Sequence, residues 1–151
     1  METRQIILDT LKDLGFEVRK TEGFGYSFKY EGRHYVYAPN ENDEDFLSIA
    51  IPFVEEYNEE DSKAFYQLMD KLNSARKYVK AYMIEDGMWL FYERELYGDE
   101  NFKALLSRMI VQLDVALHFL RKYKDELDSD DESEEEVDDD DTDNDNEQDV
   151  A

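Results

Sequence analysis

Two histidines, 40 carboxylates and no cysteine set the range of chemistry open to this chain of 151 residues. Without cysteine there is no disulfide, no thiolate nucleophile and no Cys-type zinc site. His34 and His118 are then the candidates for a general base or a metal pair. His34 alternates onto a polar strand face beside Lys29, and His118 falls at the edge of a helical apolar stripe. No familiar ligand spacing links the two, and both read as ordinary structural or surface histidines. Gly23-Phe24-Gly25 has the look of the opening of a dinucleotide loop, but Phe28 stands at the third glycine position and no Walker A pattern occurs. The Asp-rich C-terminus invites a calcium reading. A loop opened at Asp141 places Asp141, Asp143 and Asp145 as ligands, yet Asn146 replaces the glycine and the last ligand falls beyond Ala151. A loop opened at Asp139 fails in the same way, with Val150 at its last position. Weak, unspecific binding of divalent ions is what remains. A catalytic carboxylate pair needs a pocket that separates two pKa values, and nothing singles out such a pair among 40 acids. No catalytic, cofactor-binding or metal-binding residue is expected.

Charge narrows the partners. The formal net charge is −23, from 17 basic and 40 acidic residues. Residues 128–151 hold 15 of the acids and no Lys or Arg, which leaves net −8 on residues 1–127. Such a balance repels phosphate backbones. Arg76, Lys77, Lys80, Arg94 and Lys103 are the residues that could gather into a local basic patch, but cross-strand pairing of Lys80 with Glu93 and ordinary solvation account for them better. No nucleic-acid partner is expected. The N-terminus lacks the apolar stretch of a secretory signal, and no apolar run nears the roughly 20 residues of a membrane span. A soluble, cytoplasmic protein is expected.

Periodicity supplies the elements. Ile6, Ile7, Leu11 and Leu14 share a stripe over residues 2–14, with Gly15 as a stop. Phe16–Lys20 alternates as a short strand. Phe24, Tyr26, Phe28 and Tyr30 then alternate with small or polar residues up to a turn at Glu31-Gly32, which sets Phe28 opposite Tyr35 and Tyr26 opposite Tyr37. That aromatic face is expected in the core. Phe46–Phe53 reads as a strand with Leu47, Ile49, Ile51 and Phe53 on one face, ending at Pro52 or lying at an edge. A second helix spans about residues 61–74, with Phe65, Leu68, Met69 and Leu72 as its stripe. The last, about 100–127, keeps Phe102, Leu106, Met109, Leu113, Ala116, Leu117 and Leu120 in register. The whole is an α+β domain over residues 1–127: helix, three or four antiparallel strands, helix, β-hairpin, long C-terminal helix. The polyacidic segment 128–151 cannot bury enough apolar area to offset chain entropy and is expected to be disordered.

One face of the second hairpin is out of keeping with water. A turn at Asp86-Gly87 pairs Ile84 with Trp89 and Tyr82 with Phe91. Val79, Ala81, Met83, Leu90 and Tyr92 then form one side. Tyr78, Tyr82, Ile84, Trp89 and Phe91 form the other, beside the Lys80–Glu93 charge pair that marks it as outward. Gly25, Ser27, Ala38, Ser48 and Ala50 are small residues on the outward side of the other strands. An outward aromatic patch of this kind is either covered by another helix or segment of the same chain or serves as a surface that meets a partner or a second copy.

Leu72-Asn73, then Lys80 and Gly87-Met88-Trp89, then a long final helix, occurring in this order of elements, resemble the type III secretion chaperone-like fold. Within it the chain is most similar to the bacterial YbjN-like branch, over about residues 1–125. The resemblance implies a small, acidic, cytoplasmic protein, commonly a homodimer, without catalytic residues; the chaperone branch holds a client segment in extended form. The polyacidic segment departs from the usual pattern. The expected function is therefore non-enzymatic: a protein-binding or chaperone-like module whose face of Tyr78, Tyr82, Ile84, Trp89 and Phe91 meets a client or builds a dimer. The alternative is an electrostatic adaptor whose tail mimics nucleic acid and binds a basic partner.

Overall fold

The computed structural model describes residues 2–138, with side chains as far as Asp130. Three helices and six strands alternate along the chain: α1 (Glu2–Asp13), β1 (Arg19–Thr21), β2 (Gly25–Tyr30), β3 (Arg33–Tyr37), β4 (Phe46–Glu56), α2 (Ser62–Ala75), β5 (Val79–Ile84), β6 (Gly87–Glu95) and α3 (Phe102–Asp138). A short 3₁₀ turn, Glu59–Asp61, leads into α2. The strands form one antiparallel sheet in the order β1-β2-β3-β4-β6-β5.

All three helices lie on the same face of this sheet. Ile7 and Leu11 of α1, Phe65, Leu68 and Leu72 of α2, and the stripe from Leu106 to Leu120 of α3 meet one core. The sheet contributes Phe28, Tyr35, Tyr37, Leu47, Ile49, Ile51, Leu90 and Tyr92 to it. Leu127, among the residues whose side chains are described, is the last of α3 packed against this core, and the helix runs on to Asp138. Residues 139–151, most of the expected disordered segment, lie outside the described residues.

The first hairpin pairs as its alternation predicts, with Phe28 opposite Tyr35 and Tyr26 opposite Tyr37. Glu31 and Gly32 turn it at φ +53° and +76°, the left-handed pair a tight hairpin needs. Elsewhere the structure corrects the sequence reading. β4 neither ends at Pro52 nor lies at an edge: it runs to Glu56 between β3 and β6. Proline is accommodated because the ladder to β6 breaks into a bulge between Ile51 and Glu55, where no strand N–H is required of it. Arg121 and Lys124 of α3 both reach Glu55 at the end of this bulge, at 3.0 Å each, and tie the helix to it.

The second hairpin turns one residue earlier than expected. Glu85, at φ +55°, and Asp86 form the turn, and Gly87 opens β6 opposite Ile84. Tyr82 therefore faces Trp89, and Lys80 faces Phe91. Each residue's partner moves by two positions, which leaves every side chain on the face its alternation predicts. The glycine serves packing rather than the turn: a Cβ on Gly87 would strike the Phe53 ring.

Candidate protein-binding face

No helix among the described residues covers the other face of the sheet. There Ala50 of β4, with Trp89 and Phe91 of β6, forms a separate small cluster joined by Ile84 of β5. Phe91 stacks on Tyr82, with ring centroids 4.4 Å apart, and on Trp89 at 5.8 Å. Sequence alternation brings four of the five expected residues, Tyr82, Ile84, Trp89 and Phe91, to this face together. The Lys80–Glu93 pair that oriented it is also present, at 2.8 Å, though the two residues are diagonal neighbours rather than direct partners.

Tyr78 is the exception. It precedes β5 with φ +72°, which breaks the period-2 rule, and its ring stacks on Tyr92 on the helix-covered side. It is 68% exposed but separate from the patch.

Two aromatics assigned to the core take its place. Gly25 has φ +98°, a bend open to glycine at little cost, and any Cβ there would strike the Tyr37 carbonyl oxygen. The preceding Phe24 is thrown onto the bare face, where its ring lies 5.3 Å from Trp89. Phe53, in the β4 bulge with φ +48°, swings to the same face and meets Trp89 edge-on at 5.1 Å. It remains 50% exposed. Val54 takes the core position that alternation gave to Phe53.

These two rings change the character of the patch. Trp89 and Phe91 are only 4% and 5% exposed, not open to solvent as the alternation implied. They are covered by Phe24, Phe53, Tyr82 and Ile84 rather than by a helix. What faces water is the cover. Trp89 Nε1 is buried without a hydrogen-bond partner, a donor whose desolvation is uncompensated.

Beside the cluster runs an open trough of about 720 Å³. Ser48, Phe91 and Glu93 lie along it, with Phe24 and Lys20 on one side and Tyr82 and Ile84 on the other. Ser48, itself buried, donates to Glu93 at 3.2 Å, and Lys80 neutralises that carboxylate. The bond to Glu93 pushes the Lys80 pKa up, and burial together with Glu93 does the same for the Tyr82 hydroxyl. The trough therefore offers apolar rings beside the Lys80–Glu93 pair, with Lys20 and an Arg4–Glu41 pair at 3.6 Å also along its lining, an arrangement suited to holding chain rather than to acid–base chemistry.

The histidines are not brought into this site. His34 is exposed on β3, and His118 is exposed on α3 with its Nδ1 2.8 Å from the Asp114 carbonyl oxygen. Among the described residues no group of three or more His, Cys, Asp or Glu could hold a metal ion, and no helix is long and apolar enough to cross a membrane.

An antiparallel sheet backed by three helices on one side and bare on the other defines a fold class, and comparison with known proteins gives it a family. The YbjN family, described as "Putative bacterial sensory transduction regulator", matches residues 3–129, and the chain belongs to it. Among solved structures it is similar to that of YbjN from E. coli, described as "a putative transcription regulator", with a TM-score of 0.57 at 10% identity. The likeness covers 80% of this chain and 93% of that one, and at this identity it establishes the fold alone. No curated protein matches the chain.

Proposed function

We propose that the protein is a non-catalytic, cytoplasmic binding module of regulatory type that docks a protein segment, or a second copy of itself, on the bare face of its sheet. One observation carries this reading: an aromatic cluster built from three elements, Phe24, Phe53 and Trp89–Phe91, stands on a face that no helix among the described residues covers. Rigid aromatic rings beside an open trough are what an extended partner segment uses as anchors. The family description supports a regulatory role. A net charge of −23 opposes direct contact with DNA, so regulation would run through protein partners rather than through nucleic acid.

The half-exposed rings are the ones to change. Phe24→Ser combined with Tyr82→Ser is expected to leave a folded chain while removing partner proteins that the wild type retains from an extract of its source bacterium. Any self-association seen by sedimentation should fall with it. Tyr97→Ser serves as control, because Tyr97 is exposed but packs on Arg94 away from the trough. Unchanged retention and unchanged sedimentation in a folded double variant would refute the reading.

A further inference from the structure

A six-stranded open sheet has two free edges, and each is a template for an added strand. At one edge β1 is only three residues long, Arg19–Thr21, and carries two cations, features that discourage pairing. At the other edge β5 is six residues long and carries a single cation, Lys80, which is held by Glu93. Its centre is nonetheless occupied. Ala81 N–H donates to Asn73 Oδ1 at 2.7 Å, and Asn73 Nδ2 donates back to the Ala81 carbonyl oxygen at 3.0 Å.

In an antiparallel ladder alternate residues aim both backbone groups at the neighbouring strand, and those between aim them outward. The two bonds to Asn73 show that Ala81 is of the outward kind, and Val79 and Met83 share its parity. A primary amide has one donor and one acceptor in the geometry of a peptide group. Asn73 thus makes both hydrogen bonds that a residue of an incoming strand would make at the middle of β5. It is delivered there by the last turns of α2, whose Leu72 is fully buried in the core and holds the helix against the strand.

We infer that Asn73 is a built-in stop against strand addition at β5, which closes the sheet to edge-on partners or copies and leaves its bare face as the route of access. The inference rests on the Asn73–Ala81 bonds alone and stands whether or not the face binds a partner.

Amide exchange on the full wild-type chain tests it without any substitution. The Ala81 amide should exchange about tenfold or more slowly than that of Met83, which shares its outward parity but not the asparagine. Asn73→Ala should abolish that difference and produce association that grows with concentration in sedimentation velocity. Adding Met83→Lys, a charge on the exposed edge, should reverse the association. Ala81 exchanging as fast as Met83 in the wild type would overturn the inference. So would a folded Asn73→Ala chain that sediments as the wild type does, or one whose association Met83→Lys leaves unchanged.

Discussion

Leu90→Ala is expected to lower the unfolding free energy by about 2–5 kcal/mol, whereas Tyr82→Ala, across the same hairpin, should lower it by about 1 kcal/mol. Leu90 is fully buried at the middle of β6, beneath the helices, and its truncation opens a cavity in the main core. Tyr82 is half-exposed on the bare face and loses chiefly its stacking on Phe91. Urea unfolding of both variants, compared at equal m-values, measures the difference. Equal losses would mean that the two faces are equally part of the core and would remove the basis for treating one as a docking surface. Trp89 and Phe91 are weaker probes of docking than Tyr82 or Phe24. Both are almost wholly buried, so truncating them costs fold stability of about 3 kcal/mol or more along with any partner contact.

Tyr35→Phe should raise stability by about 1–2 kcal/mol at neutral pH and soften the loss of stability in alkali. The Tyr35 hydroxyl is buried without a partner, so phenylalanine removes a desolvated group and leaves the ring contacts with Phe28 and Tyr30 in place. Burial also pushes the Tyr37 hydroxyl up to about 12, and Tyr35 further still above the ordinary tyrosine range. An unfolded tyrosine ionises near pH 10. Above that pH the unfolded chain sheds protons that the folded chain keeps, so stability falls as pH rises, from about 10 through 12. Each of the two tyrosines contributes a slope of about 1.4 kcal/mol per pH unit over that window. Below pH 10 neither contributes any pH dependence. Urea midpoints followed through the window should fall less steeply in Tyr35→Phe than in the wild type, with Tyr37 and the likewise raised Tyr57 and Tyr82 supplying the slope that is left. A slope identical to the wild type would show that Tyr35 ionises as freely in the fold as outside it.

Much of this architecture is legible in hydrophobic spacing. The α3 stripe, the Phe28–Tyr35 register and the orientation of β5–β6 all follow from period 3.6 or period 2 read along the chain. The orientation survives even the misplaced turn, because shifting a partner by two residues preserves the face. What alternation does not reveal is concentrated where the backbone turns left-handed. Gly25 sends Phe24 outward, Phe53 swings out of the β4 bulge, and Tyr78 swings in, each with φ between +48° and +98° at or beside the residue. Three aromatics exchange faces for this reason, and two of them, Phe24 and Phe53, cover Trp89. Partial signals exist: Gly23 and Gly25 bracket Phe24, and Pro52 directly before Phe53 marks a strand that cannot stay regular. The stop formed by Asn73 leaves no such trace. It depends on where α2 sets down its last turn beside β5, a tertiary relation that no local pattern encodes.

The most direct test of the bare face as a docking surface is site-specific photo-crosslinking in the source bacterium. A benzophenone side chain would be placed at Tyr82, with a second chain carrying it at Val111, an exposed position on α3. Position 82 should give discrete adducts with a protein partner or a second copy, and position 111 should give none. Adducts at 111 with none at 82, or none at either, would contradict the assignment of the bare face as the surface through which this protein acts.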